Sequence, residues 1–155
     1  MDEHSAAALI KLGGNPRGLR ATALTADLAA GADLVLTMTR LHRREVLEIS
    51  PRGLRRTFTL LEASELIRRA EVRDLARLPL DARARELGLR LDAGRGYRAS
   101  TDADDIFDPI GRRRFVHDDV ADTIARALRP VLSALFPDPV PHTAPSRPER
   151  LPMGA

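Results

Sequence analysis

The apolar positions of this chain fall into several short runs separated by Gly, Pro and charged clusters. Ala6, Ala7, Leu9, Ile10 and Leu12 supply the apolar positions of an expected first helix, with Asp2 or Ser5 as its cap and Gly13-Gly14 as its stop. Asn15-Pro16-Arg17-Gly18 reads as a turn, since Pro fixes one dihedral and Asn and Gly tolerate positive ones. Thr25 is placed to cap a short helix over Ala26 to Ala30, closed by Gly31. The pattern then changes. Asp33 to Thr37 is a near-continuous apolar run, as expected of a parallel strand covered on both faces. Arg40 to Ile49 predicts a helix with Leu41, Val46 and Ile49 turned inward, stopped by Ser50-Pro51 and Gly53.

Arg56-Thr57-Phe58-Thr59-Leu60-Leu61 is rich in β-branched and aromatic residues and predicts a second strand. Glu62 to Arg69 and Val72 to Leu78 read as helical, with Pro79 as a break and another helix over Leu80 to Leu91. Asp92 to Thr101 is polar and Gly-punctuated, a loop. The last helix is expected from about Asp118 to Phe136, with Val120, Ile124, Leu128, Val131, Leu132 and Leu135 at helical spacing and Pro130 as a kink. In residues 137–155 prolines alternate with polar residues, which predicts a disordered tail. Strand, helix, strand, helix order implies parallel strands joined by right-handed crossovers. Two strands are too few for that architecture. The expected fold class is therefore α/β, with a parallel sheet in which the strand at Asp33 to Thr37 lacks a neighbour on one side.

Composition narrows the chemistry. The chain has 155 residues, 43% of them hydrophobic, enough for one core, and only 3% aromatic, so that core must be aliphatic. There is no cysteine, which excludes disulfides, thiolate metal sites and thiol catalysis by this chain alone. Four separated histidines argue against a metal centre, and Asp102, Asp104 and Asp105 read as a solvated loop or helix cap. His42 and His117 are expected at the surface or in caps, and Met38 as a core filler. Net charge is +3, carried almost wholly by arginine, with 22 acids interspersed. The Arg43-Arg44 and Arg112-Arg113-Arg114 clusters therefore read as solvated helix ends that could also attract an anion. No apolar run reaches membrane-spanning length and no apolar leader is seen, so a soluble cytoplasmic protein is expected, without membrane partners.

Four segments carry a family pattern: Asp2 to Leu9 ending at Gly13-Gly14; Ala32 to Arg40 with His42-Arg43-Arg44-Glu45-Val46; Arg56 to Leu60 with Glu62; and Asp105 to Gly111. Their order and spacing resemble the later part of the low-molecular-weight protein-tyrosine phosphatases, nearest the bacterial enzymes, over about residues 1–136, which implies an incomplete three-layer parallel-sheet α/β domain whose first strands are missing. The first strand, the Cys-x5-Arg-[Ser/Thr] phosphate loop, its helix and the second strand of that family have no counterpart here. The resemblance implies hydrolysis of a phosphate monoester through a phosphocysteine, with loop amides and an arginine holding the equatorial oxygens. An aspartic acid protonates the leaving oxygen and then activates water. Asp108 matches that acid, since Asp108-Pro109-Ile110-Gly111 corresponds to the family's Asp-Pro-Tyr-Gly. Ile110 stands where a tyrosine lines the substrate mouth, a substrate-binding position that here lacks an aromatic ring.

The expectation is a truncated phosphatase of this family, without cofactor, whose full-length form would act on a phosphotyrosine protein or small phosphate ester. The chain alone, lacking the nucleophile, is expected to be inactive. Arsenate reductases share the fold but resemble it with extra cysteines in the later half. Two alternatives stand beside this reading. One is a non-catalytic binding module of the same fold that completes its sheet on a partner. The other is an Arg-rich nucleic-acid binder, against which stand the lack of stacking aromatics and of any recognisable motif.

Overall fold

Thr59 decides where the second strand ends. Its hydroxyl accepts the Glu62 N–H at 3.2 Å while the Glu62 carboxylate accepts the Thr59 N–H at 3.3 Å, a reciprocal capping box that starts a helix at Leu60. The strand β2 is thereby confined to Thr57–Thr59, and the expected strand over Arg56 to Leu61 gives up its last two residues to helix. In this computed structural model, which describes residues 1–137, β2 pairs with only one other strand, β1 (Val35–Thr37). The pairing is parallel, with Val35 opposite Thr57, Leu36 opposite Phe58 and Thr37 opposite Thr59.

The helices are α1 (Glu3–Lys11), α2 (Ala26–Gly31), α3 (Arg40–Ile49), α4 (Leu60–Ile67), α5 (Leu80–Gly94) and α6 (Arg114–Leu135), with single 3-10 turns at Pro51–Arg56, Arg73–Arg77, Arg95–Tyr97 and Asp102–Asp104. Helix takes 64% of the described residues and strand 4%, so the expected three-layer α/β parallel-sheet fold is not what the chain adopts. The parallel strands and their order were right; the sheet as the organising layer was not. Two strands of three residues each expose too little surface to carry two helical layers, and helix-on-helix contacts take over.

The main core joins Phe58 of β2 to Ala63, Leu66 and Ile67 of α4, Leu87 and Leu91 of α5, and Val131 and Ala134 of α6, with Leu75 closing it from the 3-10 turn. A smaller cluster of Leu60, Ile106 and Ala127 fills the space between α4 and α6. The aliphatic composition leaves Phe58, with no exposed surface, as the single large aromatic anchor of the core.

Several boundaries move for local reasons. On α3 only Val46 is buried; Leu41 and Ile49, expected inward, are 58% and 42% exposed. β1 shares this openness, since Val35 and Leu36 are half-buried, whereas β2 is buried throughout. Pro79 does not break a helix but stands as the residue before α5, where a missing N–H costs nothing, and α5 continues three residues beyond Leu91. The expected Asp92 to Thr101 loop is thus partly helix and partly the turn at Arg95–Tyr97. Helix α6 starts four residues ahead of Asp118 and runs through Pro130. That extension carries His117 into contact with α1, where its Nδ1 lies 3.0 Å from the Ser5 Oγ, and it is buried rather than at the surface. Asp2 caps α1 through the His4 and Ser5 N–H groups, as expected. The expected tail from 138 onward lies outside the described residues.

Candidate functional site

The C-terminal exit of β1 is held by side-chain and backbone hydrogen bonds. The Thr37 hydroxyl donates to the Thr39 carbonyl at 3.0 Å and lies 3.3 Å from the Phe58 carbonyl, fixing the path out of the strand. Thr39 then caps α3, its hydroxyl accepting the His42 N–H at 3.1 Å. Between them Met38 accepts, through its carbonyl, the Ile106 N–H at 2.8 Å. That one bond attaches the segment Asp105 to Gly111 to the mouth of the strand. Met38, expected as a core filler, lies at this mouth 37% exposed.

Asp105 locks the attachment from the side. Its carboxylate accepts the Arg40 backbone N–H at 2.7 Å and the Arg40 guanidinium at 3.0 to 3.3 Å. These bonds from Arg40 hold the Asp105 carboxyl below the usual carboxylate range, against a small opposing push from burial. Arg40 also pairs with Asp102. The helix N-terminus of α3 and the loop are therefore one unit.

Asp108 sits at the tip of that unit. Its Oδ1 accepts the Ile110 N–H at 3.0 Å, an Asx turn, and the Arg112 N–H bonds back to the Pro109 carbonyl at 2.9 Å. Gly111 takes φ +75°, a conformation that a side chain would strain. The turn carries Asp108 to the rim of a cleft of about 550 Å³ lined also by Met38, Thr39, His42, Phe107 and Pro109. The carboxyl itself is exposed and has no cation bonded to it among the described residues. Ile110, the expected substrate-binding position, is 71% exposed and does not line this cleft. Sequence reasoning thus placed two residues together, and the structure brings only one of them into the cleft.

The arginine clusters separate in the same way. Arg43 is not a solvated helix end: its Nε donates to the Thr57 carbonyl at 3.0 Å, and burial pulls its guanidinium below the ordinary arginine value. Arg112 stays near the loop, over the Phe107 ring at 5.5 Å. His42 is exposed, as expected, and lines the cleft.

Sequence reading missed the support beneath this loop. Asp104, taken with its neighbours as solvated, is only 2% exposed. It accepts from Arg98 at 2.5 and 3.2 Å, from the Ser100 hydroxyl at 3.3 Å and from the Thr101 N–H at 3.1 Å. The Thr101-x-x-Asp104 spacing of a capping box was the available signal. Burial pushes the Asp104 carboxyl up, but Arg98 and the Thr101 N–H outweigh it, and the net direction is below the ordinary 3.8. A depressed folded-state value means that its contribution is complete above 3.8 and disappears as pH falls through the folded-state value. Urea midpoints at about pH 5 and about pH 3 should differ less in Asp104→Asn than in the native chain. The variant should also be less stable at the higher pH. Equal pH dependence in the two would remove Asp104 as a contributor.

Chemically, the cleft offers a carboxyl able to give or take a proton and an imidazole nearby, but no thiol. Among the described residues no group of three His, Asp or Glu side chains could hold a metal ion, and no helix is long and apolar enough to cross a membrane. No protein-family model matches this chain, and no curated protein or solved structure matches it either.

Proposed function

We propose that this chain supplies the acid side of a phosphate-monoester hydrolysis site, with Asp108 as the proton donor to the leaving oxygen, and that it is inactive by itself. The observation that carries the reading is the hook between the Ile106 N–H and the Met38 carbonyl, which holds the Asp108 turn over the C-terminal end of β1. The same bond sets the Asp108 carboxyl in one cleft with Met38, Thr39 and His42. In the proposed reaction a thiolate carried on a Cys-x5-Arg-[Ser/Thr] segment attacks phosphorus, and the bond from phosphorus to the ester oxygen breaks. Asp108 delivers its proton to that oxygen as the alcohol or phenol departs. The carboxylate then takes a proton from the water that hydrolyses the phosphocysteine, returning the thiolate and releasing phosphate. No cofactor enters this scheme. The substrates are phosphotyrosine proteins or small aryl phosphates, and the cytoplasm is the compartment in which they and a free thiolate coexist.

The native chain should show no turnover of p-nitrophenyl phosphate, because nothing in it replaces the sulfur. Turnover that vanadate abolishes would reveal a nucleophile in the chain and defeat this reading. A direct check is the DNA 5′ to the Met1 codon: an in-frame Cys-x5-Arg-[Ser/Thr] supports the proposal, and its absence leaves the binding-module reading in its place. That second reading has one observation of its own. β1 pairs with a strand on one side only among the described residues, so its other edge is unpaired, and its Val35 and Leu36 are only half-buried. An Arg-rich nucleic-acid binder has no such observation.

A further inference from the structure

A second cleft, sharing no lining residue with that of Asp108, opens between α4, α6 and the segment from Arg98 to Asp104, with a volume of about 550 Å³. Four guanidinium groups border it, those of Arg68, Arg69, Arg98 and Arg126, against two carboxylates, Glu65 and Asp104. Two of the four are already committed. Arg98 pairs with Asp104 at 2.5 Å and with Glu65 at 3.0 Å, and Arg69 pairs with Glu65 at 3.0 Å. Arg126 bonds only the Thr123 hydroxyl, at 3.1 Å, and Arg68 has no side-chain partner among the described residues. The cleft therefore keeps two positive charges unbalanced.

Its wall holds a further unmet group. The Ser64 residue is 3% exposed, and its Oγ is buried without a hydrogen-bond partner. Leaving a buried hydroxyl unpaired costs free energy that a bound acceptor recovers. Ser64 and Arg68 stand one turn apart on the same face of α4 and its cap, and both line the cleft. Arg126 faces them from α6.

We propose that this cleft is a binding site for a small phosphate monoester, its phosphoryl group held between Arg68 and Arg126 with the Ser64 hydroxyl donating to one oxygen. A phosphate monoester carries about −1.5 to −2 charges at neutral pH, which matches the two uncompensated guanidinium groups; a monocarboxylate leaves one unmatched. Guanidinium forks meet phosphate oxygens in bidentate pairs, and the volume exceeds what the phosphoryl group alone needs, leaving room for its organic part. This site is independent of the chemistry assigned to Asp108.

The test uses the full chain and inorganic phosphate at constant ionic strength. Phosphate should raise the thermal midpoint, and the amide resonances of Ser64, Arg68 and Arg126 should shift while those of residues 105–110 stay in place. Arg68→Ala and Arg126→Ala should each weaken binding by about tenfold, since charge-assisted hydrogen bonds to phosphate are lost. Ser64→Ala should weaken binding too, while leaving the ligand-free midpoint unchanged or higher, because it removes an unpaired hydroxyl rather than a structural bond. The proposal is overturned by the absence of a phosphate-dependent rise, by an equal rise with acetate, by full retention in the Arg68→Ala/Arg126→Ala double variant, or by shifts confined to residues 105–110.

Discussion

Joined in cis to a segment bearing a Cys-x5-Arg-[Ser/Thr] loop, the chain is expected to hydrolyse p-nitrophenyl phosphate, and Asp108→Asn to lower kcat of that fusion by about 10²–10⁴-fold, the range of a lost general acid. The substitution is close to isosteric. The amide oxygen of Asn can still accept the Ile110 N–H now taken by Asp108, and Pro109 and Gly111 keep the turn, so the rim of the cleft should hold its shape. What the amide lacks is a proton acidic enough to pass to the leaving oxygen. The loss in kcat/KM, which reports phosphoryl transfer to sulfur, should therefore shrink with an ester whose leaving group departs unprotonated, such as 2,4-dinitrophenyl phosphate, and grow with an alkyl phosphate, whereas the lost base for water activation lowers kcat whatever the ester. KM should move little, since Asp108 would act on the transition state rather than on ground-state binding. A fusion that is active with its kcat unchanged by Asp108→Asn would falsify the acid role while leaving the phosphate chemistry standing. A second variant separates position from chemistry. Asp105→Asn weakens the anchor to Arg40 and should lower kcat/KM through displacement of the loop, with the same proportional loss for every leaving group.

The elements that were legible in the sequence are those whose ends are written in side chains. Asp2, Thr25 and Thr39 each place an oxygen where the first turn of a helix has free N–H groups, and α1, α2 and α3 begin one residue later. The parallel relation of β1 and β2 followed from their separation by a helix, and it is what the register shows. The extent of the sheet was not legible. Apolar runs at Asp33 to Thr37 and Arg56 to Leu61 give the same pattern whether they belong to a broad sheet or to two short strands among helices. Only Thr59 with Glu62 three residues on, a capping spacing inside the second run, marked the early turn into α4. Inward faces were the other weakness. Helical spacing identifies which residues share a stripe but not whether a neighbour covers it, and Leu41 and Ile49 share a stripe left open. The Asp108 loop was readable as a turn from Asp-Pro and Gly111, yet its attachment at Met38 is a backbone bond between residues far apart in sequence, which no local pattern encodes. Arg98 and Asp104 were hidden because a buried ion pair looks, in sequence, like two surface charges.

Arg95 is a further case of that concealment, and its removal should have the largest effect on stability. The guanidinium lies over the Phe58 ring, 3.9 Å from its centroid, and donates to the Glu62 carboxylate at 2.9 Å, to the Leu54 carbonyl at 2.8 Å and to Asp92 at 3.2 Å. It also reaches the Thr57 carbonyl, so a single side chain ties β2, α4, α5 and the turn before β2 together. Glu62 is 5% exposed, and its other bond is the cap to the Thr59 N–H. Arg95→Ala leaves that carboxylate buried without its cation, a change that costs about 3–5 kcal/mol where such pairs have been broken. Lys is no substitute, because one ammonium cannot hold these four acceptors in a plane while lying flat on a ring. Arg95→Lys should therefore recover only part of the loss. Neutralising the partner isolates the cause. If the cost is chiefly the stranded charge, Glu62→Gln combined with Arg95→Ala should be less destabilising than the sum of the two single changes, by more than about 1 kcal/mol in urea unfolding. Strict additivity would instead assign the loss to the carbonyl bonds and the ring contact, and would make Arg95 a packing residue whose charge is incidental.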